Sequence, residues 1–230
     1  MTIWLASGNK HKQQELAAIL GDNILKFPAD AGIDNFEPEE TGNTFTENAL
    51  IKARTLHHMF KTTFPESTCT VLADDSGLCV DALGLRPGIY SARYYGINSW
   101  NSNGGFVSKI NGEKLQDQER NTLLIEELDI KLNTQNTSLL QPVITKTRKC
   151  RFVCAMVLLF SPDHFYLVQE TMEGEIVLSA KEISGSGGFG YDPIVYIPQL
   201  GRTVAELSEE EKNKLSHRGK AGKAIAKLLC

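Results

Sequence analysis

The sequence predicts an α/β protein built on a mixed β-sheet with flanking helices. Three observations carry that expectation. An apolar tetrapeptide, Ile3-Trp4-Leu5-Ala6, passes through a glycine turn into an amphipathic segment. A helix with a capping signal is followed by a second apolar strand that runs into carboxylates, Val71-Leu72-Ala73-Asp74-Asp75. Two apolar runs, Cys150 to Phe160 and Phe165 to Glu170, are joined by the tight Ser161-Pro162-Asp163-His164 turn. Strand, glycine loop and helix in succession belong to α/β architecture, whereas a tight turn joins antiparallel neighbours, so the sheet is expected to be mixed.

In chain order, Ile3 to Ala6 is the first strand, Ser7 to Lys12 a loop, and Gln13 to Leu20 a helix with Leu16, Ile19 and Leu20 on one face. A second helix spans Phe45 to Phe60, opened by Thr44 with Glu47 three residues on, the capping-box spacing. Thr70 to Ala73 forms the next strand, Asp74-Asp75-Ser76-Gly77 a turn, and Leu78 to Ala82 a separate extended piece. Leu85 to Tyr90 is turn-rich, and Gln116 to Leu128 is helical with Leu123, Leu124 and Leu128 for the core. Lys131 to Lys149 is polar and aperiodic, an exposed loop or hairpin. The tail holds a helix entered at Ser208 with Glu211 in the capping position, then Ser216-His217-Arg218-Gly219 and a last helix carrying Ala221, Ala224, Ile225 and Leu228. With no repeat and no flexible linker, residues 1–230 read as a single domain.

Composition narrows the function. At 230 residues, with 41% hydrophobic and 23% charged residues, the chain can bury a core of ordinary size. Its net charge of −4 argues against nucleic acid or an acidic membrane as partner, so any phosphate site must be local. Five cysteines without a Cys-x-x-Cys pair indicate reduced thiols rather than a disulfide framework or zinc ribbon. No apolar run reaches membrane-spanning length and the N-terminal run is too short for a signal peptide, so a cytoplasmic location is expected.

The chemistry-bearing residues cluster in a few segments. Asp74 and Asp75 at a strand end offer hard oxygen ligands suited to Mg²⁺ carrying a phosphate substrate, or else form a plain turn. Ser7, Gly8, Asn9, Lys10, His11 and Lys12 offer helix-start N–H groups and two cations for phosphate oxygens, without the spacing of a Walker A loop. Glu37, Glu39 and Glu40 precede the second helix, either as a solvated acidic turn or as a source of a metal ligand beside Asp75. Lys52 and Arg54 on that helix face either a phosphate or water. Gly185 to Pro193 surrounds Phe189 and Tyr191 with glycines, which suits either base stacking or a glycine-rich loop whose aromatics enter the core. His217 and Arg218 read as a surface cap or as groups that meet a purine edge.

Six segments in this order resemble the inosine triphosphate pyrophosphatase family. They are Ser7 to Lys12; Glu39-Glu40-Thr41-Gly42 with Asn48-Ala49 and Lys52-Ala53-Arg54; Ala73-Asp74-Asp75-Ser76-Gly77-Leu78; Pro87 to Tyr94; Gly188 to Pro193; and Ser216-His217-Arg218-Gly219. The resemblance spans nearly the whole chain. It implies an elongated fold whose long mixed sheet links two lobes around a substrate cleft, usually in a homodimer. The implied reaction is hydrolysis of ITP, dITP and XTP to the monophosphate and pyrophosphate, which keeps these nucleotides out of DNA and RNA. By the same resemblance, Ser7 to Lys12 bind the triphosphate, Glu39 and Asp75 hold Mg²⁺, Asp75 accepts the proton, and Ser76 and Lys52 contact substrate. Phe189, Gly190, Tyr191 and Asp192 line the nucleoside pocket, Lys212 contacts the nucleotide, and His217 and Arg218 reach the base. The polar stretch from Asn98 to Lys149 is longer than the resemblance leads one to expect. Two rivals stand beside this reading, a Maf-like nucleotide pyrophosphatase and a non-catalytic nucleotide-binding module. The Ser-His-Arg-Gly segment argues against the first, and Asp75 with Glu39 against the second.

Overall fold

The computed structural model describes residues 1–21, 23–34, 36–107, 115–135, 147–185, 187, 188 and 190–229. In chain order its main elements are β1 (Thr2–Leu5), α1 (Lys10–Leu20), β2 (Ile24–Lys26), α2 (Phe45–Thr63), β3 (Val71–Val80), α3 (Asp117–Gln135), β4 (Lys149–Ser161), β5 (His164–Ile176), β6 (Val195–Ile197), β7 (Arg202–Thr203), α4 (Glu209–Leu215) and α5 (His217–Ala226). The seven strands form one sheet in the order β2-β1-β3-β4-β5-β6-β7. β1 runs parallel to β2 and β3, with Trp4 opposite Val71 and Leu5 opposite Leu72. β6 runs antiparallel to both β5 and β7. The expected mixed sheet with flanking helices is therefore present.

The chain divides into two compact units. The first comprises Met1–Ser76, Val153–Met172 and Asn213–Cys230, the second Gly77–Phe152 and Glu173–Lys212. In the first, strand alternation sends Ile3 and Leu5 of β1, Leu72 of β3, and Cys154, Met156 and Leu158 of β4 into one cluster with Leu16 and Leu20 of α1 and Ala221 and Ile225 of α5. The alternate residue Trp4 turns the other way and packs on Phe60 of α2, ring centroids 4.6 Å apart. The second unit buries Leu124 and Leu128 of α3. Beside them Tyr94 donates to Glu127 Oε2 at 2.5 Å, and the Arg86 guanidinium stands 3.2 Å from Oε1 of the same carboxylate.

Several boundaries differ from expectation for physical reasons. The Thr44–Glu47 box forms reciprocally, and α2 continues to Thr63. Helix α1 begins at Lys10 rather than Gln13, because Asn9 caps it by accepting from the His11 and Lys12 amides. Asp74-Asp75-Ser76-Gly77 is not a turn: β3 is continuous for ten residues, and the carboxylates lie in mid-strand rather than at its end. Nine of those ten residues are buried, and sheet pairing overrides the local turn preference of Asp, Ser and Gly. Helix α3 takes in residues 131–135 of the expected loop, residues 136–146 lie outside the described part, and β4 begins at Lys149. His217, Arg218 and Gly219 belong to the first turn of α5, behind the Ser216 cap. A Cβ on Gly219 would lie 2.1 Å from the Asn213 carbonyl oxygen, so only glycine permits that approach.

Candidate active site

Successive strand residues face opposite ways, and β3 uses this to separate its two aspartates. On the face shared with α1 and α5, Asp74 Oδ2 accepts from Lys12 Nζ at 2.9 Å and from Arg218 Nε at 3.3 Å. Ser76, two residues on, accepts from Arg218 Nη2 at 2.9 Å, while Arg218 Nη1 donates to Glu15 Oε2 at 2.5 Å. Helical spacing puts Lys12 and Glu15 on one side of α1, which is how both reach this cluster. On the α2 face, Asp75 accepts from Asn48 Nδ2 at 3.2 Å and from Lys52 Nζ at 3.0 Å. Lys52 also donates to the Asp74 backbone carbonyl at 3.2 Å and stands 2.7 Å from Glu40 Oε1. Asn48 and Lys52 lie one turn apart on α2, and Asn48 Oδ1 accepts from the Gly42 amide at 2.9 Å, so the capped helix start also ties down the acidic segment.

The two carboxyl groups are tuned in opposite directions. Burial alone would raise Asp74, but Lys12, Arg218 and Lys52 together hold it well below the usual carboxylate range. Burial is also the largest influence on Asp75, and there it prevails: Lys52 opposes it, Glu40 adds to it, and the carboxyl is raised. For Lys52, burial pulls downward and is outweighed by Asp75, Asp74 and Glu40, so the ammonium is held above its ordinary value. The Lys52–Asp75 pair is thus asymmetric: Lys52 meets Asp75, Asp74 and Glu40, whereas the attraction of Lys52 and Lys12 for Asp75 is outweighed by burial and by the neighbouring acid Glu40.

The structure gathers Lys12, Lys52, Asp74, Asp75, Ser76 and Arg218 from the sequence-derived set into this unit and adds Glu15, the acid three positions after Lys12. The phosphate loop differs from expectation, because the Asn9 side chain occupies the His11 and Lys12 amides. Ser7 Oγ accepts from the Asn9 amide at 3.2 Å, Gly8 is exposed, and Lys10 contributes to the first turn of α1. His217 is buried beside Arg218 at the start of α5. Glu39 is exposed, and the adjacent Glu40 is the acid that reaches Lys52. Arg54 donates to the Pro162 carbonyl at 3.0 Å.

In the second unit, Asp192 Oδ2 is 2.8 Å from Lys212 Nζ, and both side chains are buried. Gly188 makes room for that pair: with φ +74°, its Cβ would fall 2.1 Å from Asp192 Oδ2. Tyr191 is a core residue, its hydroxyl donating to the Ser91 carbonyl at 2.8 Å, and burial pushes its pKa up. Gly190 adjoins it, and Phe189 lies outside the described residues.

Among the described residues, no three carboxylate, histidine or cysteine side chains converge as a metal site. The donor set nonetheless fits Mg²⁺ arriving with a phosphate substrate, which needs one or two protein carboxylates rather than a protein cage. Among the described residues Asp74 Oδ1, on the face opposite Asp75, is buried without a hydrogen-bond partner. No described helix is long and apolar enough to cross a membrane.

Known proteins are similar to this chain along nearly its whole length. The chain is 42% identical over 229 residues to a dITP/XTP pyrophosphatase of Treponema denticola, covering 100% of this chain and 98% of that protein. It is 40% identical over 228 residues to a dITP/XTP pyrophosphatase of Escherichia coli, covering 98% and 96%. Among solved structures, a HAM1 protein from Coxiella burnetii is similar with a TM-score of 0.76 and 32% identity, covering 100% of this chain and 98% of the other. The sequence model of the Ham1 family matches residues 3–228, and this chain belongs to that family.

Proposed function

We propose that this protein hydrolyses non-standard purine nucleoside triphosphates, ITP, dITP and XTP, to the nucleoside monophosphate and pyrophosphate with the help of Mg²⁺. The observation that carries the reading is the β3 cluster, where part-buried Lys12 and buried Lys52 stand against two aspartates in a chain of net charge −4. That is a local phosphate site in a protein with no general affinity for anions. The relatives' names supply the substrate class.

In this mechanism Lys12 and Lys52 hold phosphate oxygens, positioning the chain of phosphates and countering charge that builds on it. Asp75, raised by burial and fixed by Asn48 and Lys52, orients a water and takes its proton as the oxygen attacks the α-phosphorus. The bond from that phosphorus to the bridging oxygen breaks, and pyrophosphate leaves. Asp75 and Glu39 would hold Mg²⁺, which when bound supplies charge neutralisation for the leaving group. Ser7 to Lys12 and Ser76 complete the triphosphate site. Gly190, Tyr191, Asp192 and Lys212, with Phe189, serve the nucleoside, and His217 and Arg218 the base. Hypoxanthine and xanthine carry an oxygen at C6 where adenine carries an amino group, so donors facing C6 leave ATP with buried, unpaired groups. The protein acts as a homodimer in the cytosol, where the free buried thiols Cys69, Cys79, Cys150 and Cys154 stay reduced.

Pyrophosphate release from ITP, dITP, XTP, ATP and GTP, with and without Mg²⁺, tests this reading. The expected result is turnover of the first three far above the last two, lost on chelation. Equal hydrolysis of ATP and ITP overturns it.

A further inference from the structure

Gly190 is held from both sides by one helix. Its amide donates to Asp117 Oδ2 at 2.8 Å, and its carbonyl accepts from Asn121 Nδ2 at 3.1 Å. Asp117 and Asn121 lie one turn apart at the start of α3, more than sixty residues before the loop they grip. The arrangement is built rather than incidental. Asn121 is buried, and Asp117 is itself fixed by Arg120 at 3.1 Å. Arg120 and the Tyr191 hydroxyl both donate to the Ser91 carbonyl, so the residue after Gly190 is anchored to the same helix through a shared acceptor. Gly190 has φ +65°, a left-handed conformation that needs support in a glycine-rich segment, where the backbone is otherwise free.

We infer that Asp117 and Asn121 are positioning residues for nucleoside recognition, clamping Gly190 so that its backbone is set before substrate arrives. The inference rests on the proposed assignment of that loop to the nucleoside. Neither residue touches the reacting phosphate, so loss of the clamp weakens substrate binding and leaves the chemical step intact. An unclamped loop must be ordered at the expense of binding, which raises KM.

The test uses the full chain with Asp117→Ala, Asp117→Asn and, as a control on the same helix, Gln118→Ala. Asp117 is half-exposed, so its removal leaves the core in place. For Asp117→Ala, KM for dITP should rise about tenfold, the effect of one charge-assisted hydrogen bond, while kcat stays within about threefold. Asp117→Asn keeps an oxygen acceptor for the Gly190 amide and should restore most of the KM. Gln118→Ala should match the parent. Amide exchange in the peptide containing Gly190 should quicken in Asp117→Ala without ligand, with the melting temperature unchanged. An unchanged KM and exchange rate in Asp117→Ala overturns the inference, as does a parallel fall in kcat and melting temperature. If the parent releases no pyrophosphate from dITP, the functional reading fails instead, and the exchange measurement still decides whether the clamp exists.

Discussion

The β3 cluster of the first unit and the glycine loop of the second solve the same problem, holding polar groups still, by opposite means. Around β3 the ionised side chains are locked by charge: Asp74 between Lys12 and Arg218, Lys52 between Asp75 and Glu40. In the loop the backbone itself is held, Gly190 by Asp117 and Asn121, and Gly188 by the steric demand of the Asp192–Lys212 pair. Charges on rigid elements suit a reaction whose barrier is lowered by preorganised electrostatics. A glycine backbone under external restraint suits the recognition of a flat base, where close approach matters more than charge.

The sharpest way to break this comparison is to remove the reacting carboxylate. Asp75→Asn should lower turnover by about 10²- to 10⁴-fold, the range of a lost general base, while the isosteric amide keeps one oxygen to accept from Lys52 and the fold survives. Near-normal pyrophosphate release from the folded variant removes Asp75 from the mechanism. Next in size is Arg218→Ala, which takes from buried Asp74 one of its two cations and from Glu15 the same guanidinium, and should cost about 3 kcal/mol in thermal or denaturant unfolding, the low end for a broken buried pair because Lys12 remains. Lys212→Met leaves Asp192 exposed to a similar penalty. A greater loss there than at Arg218 reverses the view that the first unit depends more on charge.

Two smaller effects sharpen it. Glu39→Gln should raise the Mg²⁺ concentration for half-maximal turnover by at least about tenfold, whereas Glu40→Gln, whose carboxylate already serves Lys52, should shift it less. Equal shifts would merge the two acids into one role. Thr44→Ala removes the cap of the helix that carries Asn48 and Lys52 and should cost about 1 kcal/mol of stability, read from a denaturation midpoint.

What the sequence disclosed follows the range of the interactions involved. The capping boxes at Thr44–Glu47 and Ser208–Glu211 are local and appear as expected. The long apolar strands and the Pro162–Asp163 connection were equally plain. β3 reads as two pieces in the sequence because Asp-Ser-Gly is a turn signal only until neighbouring strands pair with it. Arg218 reads as a surface residue by type, yet it is 2% exposed, because Glu15 and Asp74 come to it from 203 and 144 residues away. The Asp117–Asn121 clamp had no local signature at all, since neither residue announces which distant glycine it holds.

The opposed facing of Asp74 and Asp75 makes the site sensitive to parity. Deleting or inserting one residue between Val71 and Asp74 would exchange the two carboxylates, turning Asp75 toward Arg218 and Asp74 toward Lys52. A change of two residues would restore the facing but slide both groups by about 7 Å along the strand, out of reach of their partners. At Pro162–Asp163, where the chain merely reverses, one residue more or less alters neither aspartate. Odd and even length changes in β3 therefore fail differently, the first by swapping roles and the second by separating partners.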